Sequence, residues 1–127
     1  MNWRWACIWT SWTLLPMAAL LLAHGSPLGW LYATAAVAAF GYHWFEQRRF
    51  YTIDHALAWA CIATNCWLAW NTLDWVMTVV GTAAVGLALV NYYDAHTDPQ
   101  EYDRHHTIWH LWCGIAGWCL ATGYVGS

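Results

Sequence analysis

The chain is expected to be an all-α integral membrane bundle of five transmembrane helices, forming a single domain over residues 1–127. Three observations lead there. Hydrophobic residues make up 61% of the chain and charged residues only 9%, where a soluble domain carries about 25% charged residues. The chain holds 13 tryptophans, and this residue gathers at membrane–water interfaces because its ring is amphipathic. Five apolar stretches run over residues 5–24, 28–44, 54–70, 73–93 and 105–125. Each approaches the ~20 residues that cross ~30 Å of hydrocarbon. Helices follow rather than strands, because an open strand edge leaves backbone groups unpaired in lipid.

The first stretch, with Arg4 ahead of "LLPMAALLLA" and "AHG", resembles a secretory signal. The run is long for a signal, and a second apolar stretch follows within a few residues, so it is read as the first span. Pro16 is expected to kink it. "HGSPLG" and "WNTLD" read as tight turns, and "FEQRRFYTI" and "DAHTDPQEYDR" as the two polar loops. With five spans, Arg4, Arg48, Arg49 and Arg104 all fall on the side that holds the N-terminus. The positive-inside rule then places the N-terminus in the cytoplasm and the C-terminus outside. The five cysteines lie in apolar runs and read as small buried hydrophobes, with no disulfide framework. A net charge of −3 without a basic patch argues against a nucleic-acid partner.

Six of the seven histidines fall on the N-terminal side; His24 is the exception. His106 and His110 stand four apart at the start of the fifth span, so they share one helix face and can reach one metal ion. Below them on that face come Cys113, Gly114, Gly117 and Ala121, small residues that let other helices approach. The best third imidazole is His43, which ends the second span after the small-residue run "ATAAVAAFG". Asp54 opens the third span on the same side, placed to reach a water on the metal. A single histidine at an interface is usually just an interfacial polar group, and His24, His96 and His105 are read that way. His55, Tyr42 and Tyr51 remain weaker candidates for a supporting role around the ligands.

"YHWFEQRRFYTID" and "HTIWH" together resemble the superfamily of transmembrane metal hydrolases that includes the alkaline ceramidases, the adiponectin receptors and the Per1-like lipid-remodelling proteins. The resemblance implies His43, His106 and His110 as zinc ligands and Asp54 as the acid that orients the water. It covers the second, third and fifth spans. Two departures stand out. The family usually has seven helices, and five are counted here. It also carries a serine one turn before the second-span histidine, where this chain has Ala39.

The expected activity is zinc-dependent hydrolysis of a lipid amide or ester within the membrane, ceramidase-like, at a metal site near the cytoplasmic face. The lipid tail is expected to enter along the small-residue face of the second span. Two rival readings keep the histidines but give them other roles. One is a non-catalytic scaffold or receptor-like protein with a structural metal. The other is a haem protein using two histidines as axial ligands.

Overall fold

The structure, a computed structural model, describes residues 3–45 and 48–127, and its regular elements are all helical. They are α1 (Trp3–Thr10), a 3-10 turn (Ser11–Leu14), α2 (Leu15–Ala23), α3 (Leu28–Phe45), α4 (Arg48–Asn71), α5 (Trp75–Thr97) and α6 (Tyr102–Val125). The first three join end to end, so the described chain makes five antiparallel rods. Pro16 lies in the first turn of α2. Its missing N–H removes one α-helical bond, and the chain tightens into the 3-10 turn just before it.

The turns are closed by local chemistry. Gly25 takes φ +76°, the left-handed value that ends a helix. There the N–H of Ser26 donates to the Leu21 carbonyl at 2.8 Å and that of Gly25 to the Leu22 carbonyl at 3.0 Å. Asp74 caps α5, its carboxylate accepting from the N–H groups of Val76 and Met77 at 3.0 and 3.1 Å.

The helices run past the apolar stretches that mark them. α4 starts six residues ahead of Asp54, α5 continues through His96, and α6 begins at Tyr102. Most of "FEQRRFYTI" is therefore helix (Glu46 and Gln47 lie outside the described residues), and the α5–α6 connection shrinks to residues 98–101. Hydropathy reports how much of a helix is apolar; backbone hydrogen bonding does not stop where polarity begins. Among the described residues, two rods are long and apolar enough to cross a membrane by length and composition, Trp3–Ala23 and Trp75–Thr97. The others are interrupted by Trp, Tyr, His and charged residues.

α6 is the hub of the bundle. It packs most extensively on α5 and also meets α1, the 3-10 turn, α2 and α4, while α3 joins the first rod to α4. The packed interior holds Met17, Leu21, Tyr32, Leu68 and Leu120, all fully buried. The outer surface is strongly apolar: Trp70 is 89% exposed, Trp75 74% and Trp30 67% at one end, with Trp5 51% and Trp44 47% at the other. No disulfide forms; all five cysteines are free. Cys66 is exposed, contrary to the expectation that the thiols fill interior space.

Gly114 and Gly117 let the first rod lie directly on α6. A Cβ on Gly114 would meet Thr13 Cβ at 2.7 Å and the Thr13 carbonyl at 3.1 Å, whereas a Cβ on Gly86 would meet nothing within 4 Å. Gly114→Val should therefore lower stability by about 1–3 kcal/mol through overpacking. Gly86→Ala should leave it unchanged or raise it by up to ~1 kcal/mol, since alanine is the better helix former. Thermal unfolding of both variants in detergent, followed by circular dichroism, checks the contrast; equal midpoints would mean that the two rods do not touch at Gly114.

Candidate metal centre

Alternating rods bring the C-terminus of α3, the first turns of α4 and the first turns of α6 to one end of the bundle. His43 stands in the last turn of α3, and His106 and His110 in the second and third turns of α6. All three are buried, His106 completely. One ring nitrogen from each lies within 4.8 Å of the others. The ring centroids are 4.9 Å apart for His43–His106, 5.2 Å for His43–His110 and 4.8 Å for His106–His110.

This donor set fits zinc. Among the described residues, Nε2 of His43 and both ring nitrogens of His106 are buried without a hydrogen-bond partner, a cost of about 1–3 kcal/mol per group that a bound cation would remove at one nitrogen of each ring. Three imidazoles with room for a fourth ligand are the pattern of an open zinc site, with Zn–N bonds of ~2.0–2.1 Å.

Support for the ligands comes largely from elements that the sequence did not point to. The Thr10 backbone carbonyl lies beside the His110 ring. The Thr13 hydroxyl donates to the His110 carbonyl at 3.0 Å. One turn earlier the Cys7 thiol and the Thr107 hydroxyl share a buried hydrogen bond at 3.0 Å, which ties α1 to α6. Tyr102 stacks on His106 at 4.9 Å and Trp109 meets its edge at 4.7 Å.

Asp54 sits two turns into α4 instead of opening it, 4% exposed, with Oδ2 accepting no hydrogen bond among the described residues. It stands outside the compact histidine trio but lines the same small cavity as His110 and Ala39, of about 40 Å³. That is room for water, not for a lipid tail. The small-residue face of α3 is instead spent on packing, with Ala35, Ala36, Ala38 and Ala39 all buried. Ser11, 1% exposed, brings a hydroxyl to this cavity wall where Ala39 offers none; it donates to the Cys7 carbonyl at 3.0 Å. At the far end Asn65 Oδ1 accepts from the Tyr32 hydroxyl at 2.7 Å.

The weaker candidates divide. Tyr42 packs beside His43, ring centroids 4.9 Å apart. Tyr51 touches Tyr42 at 5.4 Å and His55 at 3.9 Å. His55 lies outside the trio; its Nδ1 is 3.0 Å from the Tyr51 carbonyl and 3.8 Å from Asp54 Oδ2, and its ring faces Tyr92 and His96. His96 ends α5 and is not in a loop. His24 is at the opposite end of the bundle, at the close of α2. Searches against protein-family models, characterised proteins and solved structures find no match.

His43→Ala, His106→Ala and His110→Ala should each lower bound zinc to well below one ion per chain, measured by elemental analysis of purified protein, while His24→Ala and His96→Ala leave it unchanged. Full zinc retention by His106→Ala would remove the site.

Proposed function

We propose that the protein is a zinc-dependent hydrolase of a lipid amide or ester, embedded in the membrane as five spans. The observation that carries this reading is the trio His43, His106 and His110 beside a buried carboxylate, Asp54, at one end of a bundle with an apolar exterior. The membrane part is supported by the exposed tryptophans, among them Trp30, Trp70 and Trp75 around the two short turns and Trp5 and Trp44 at the histidine end, where the interfacial belts of a bilayer would lie. Trp9, Trp59 and Trp118 are exposed along the rods as well, an apolar exterior that suits lipid better than water. The likeness of "YHWFEQRRFYTID" and "HTIWH" to the alkaline ceramidase superfamily adds the reaction class.

Zinc held by the three imidazoles supplies a Lewis acid for the scissile carbonyl and lowers the pKa of a water towards ~7. The chain's own groups do the rest. Asp54 takes the attacking water's proton and returns it to the leaving amine or alkoxide. Ser11 carries a hydroxyl on the cavity wall, where Ala39 has no polar group; its proton, held by the Cys7 carbonyl at 3.0 Å, would have to turn from that carbonyl to meet a developing oxyanion. An apolar groove of about 400 Å³ on the outer face, lined by Thr13, Pro16, Leu111, Gly114, Ile115 and Trp118, gives the lipid tail a seat. Thr13 borders both this groove and the inner cavity.

Asp54→Asn preserves shape and removes the base. It should leave zinc in place and cut hydrolysis of a short-chain ceramide or phospholipid analogue by about 10²–10⁴-fold. Ala39→Ser, which adds a hydroxyl to the cavity wall, should raise the rate. If neither the natural protein nor Ala39→Ser hydrolyses any amide or ester lipid while zinc stays bound, a structural metal in a membrane scaffold takes the place of the enzyme. Arg4, Arg49 and Arg104 also sit at the histidine end of the bundle. A reporter fused after Ser127 should accordingly be active outside the cytoplasm, and cytoplasmic activity there would break the five-span topology.

A further inference from the structure

Beside the trio, on its solvent side, lies an open basin of about 440 Å³ whose walls come from four different helices. Tyr42 ends α3, Tyr51 begins α4, His96 ends α5 and Tyr102 begins α6. Neighbouring rings meet edge to face. Tyr42 and Tyr51 meet at 5.4 Å and 68°, and His96 and Tyr102 at 6.1 Å and 75°. Asp103 adds a carboxylate to the lining. No Lys or Arg is found among the described side chains that line it. Of the described guanidinium groups at this end, Arg49 lies over Phe50 at 5.1 Å and Arg104 pairs with Glu101 at 3.0 Å.

We propose that this basin, where Tyr42, Tyr51, His96 and Tyr102 meet beside Asp103, binds a quaternary ammonium group of the choline type. Aromatic faces attract a cation through the ring quadrupole, and the attraction grows as the cation sheds water. A trimethylammonium group holds its water weakly and presents methyl groups to the rings. A primary ammonium needs hydrogen bonds that aromatic faces do not supply. Asp103 provides the opposite charge at the rim, and no cationic side chain described in the lining opposes binding.

The basin needs no metal to bind its cation, so the proposal stands apart from the hydrolase reading. Only its consequence rests on that reading. The outer wall, Tyr102, is stacked on His106, so a bound headgroup lies against the back of a zinc ligand. A hydrolase at this site would then act on choline-headgroup lipids.

The test is equilibrium dialysis of radiolabelled choline and of tetramethylammonium against the full chain in a maltoside detergent, with ethanolamine for comparison. Saturable binding of both quaternary cations is expected, with ethanolamine weaker by about tenfold or more. Tyr51→Leu, on a partly exposed side chain, should weaken choline binding by about tenfold, whereas Tyr51→Phe, which keeps the ring, should not. Asp103→Asn should weaken it further than Tyr51→Phe does. Helical circular dichroism and zinc content of each variant show that the fold is intact. Competition by a short-chain phosphatidylcholine identifies the ligand as a lipid headgroup; its failure to compete identifies a free solute. Equal affinity for ethanolamine, no saturable choline binding, or an unchanged affinity in Tyr51→Leu would overturn the proposal. Choline binding without zinc sinks the hydrolase reading alone, and zinc without choline binding sinks the basin alone.

Discussion

The close approach of the first rod to α6 is the contact on which the rest of the arrangement depends. Gly114 and Gly117 expose bare backbone on α6, and the first rod fits against it with Thr13 of the 3-10 turn over Gly114 and Met17 of α2 over Gly117. Bulk at either position pushes the rods apart. The consequence reaches the histidines at once, because the Thr13 hydroxyl bonds the His110 carbonyl and the Thr10 carbonyl faces the His110 ring. A separation of even ~1 Å forfeits the Thr13 hydrogen bond, which has a narrow range of useful distance, and draws the Thr10 carbonyl away from the ring. Packing and site are thus one problem in this molecule, and two residues without side chains solve it.

A second constraint is polar satisfaction. The interior of the bundle is apolar, yet it holds His43, His106, His110, Asp54 and Asn65. Asn65 is answered by the Tyr32 hydroxyl and Thr107 by Cys7 and the Asp103 carbonyl. His106 and Asp54 are not fully answered among the described residues. Buried polar atoms normally find partners, so unanswered groups concentrated at one level mark where an external ligand is expected. The pattern separates this level from the middle of the bundle, where Asn65 and Tyr32 answer each other.

The sequence made the candidate ligands legible because helix ends convert position along the chain into depth. His43 closes one apolar stretch, Asp54 opens the next, and His106 and His110 open the last, so all four share a level once the rods alternate. The i, i+4 spacing of His106 and His110 added a shared face. What the sequence did not yield was lateral order. Nothing in the hydropathy pattern says that the first rod, and not α5, lies over Gly114, so the roles of Thr10, Ser11 and Thr13 were invisible. Tyr102 and His96 were assigned to a loop because they flank charged residues, although both are helical, and with them went the basin. The small residues of α3 misled in another way. They suggested an entry path, but alanines serve close packing equally well, and here they are buried.

The rods also differ in length. α3 has 18 residues while α4 and α6 have 24 each, so at ~1.5 Å per residue they measure about 27 and 36 Å. A bilayer with ~30 Å of hydrocarbon cannot match both. On the membrane reading, a bilayer meets rods of unequal length by tilt or local thinning. At the histidine end, however, α3 and α4 finish level, because Phe45 stacks on Phe50 at 5.9 Å and Tyr42 meets Tyr51 at 5.4 Å. On that reading the lipid surface needs no step between these two rods, and a lipid's polar end would approach the trio over an even rim of aromatic residues.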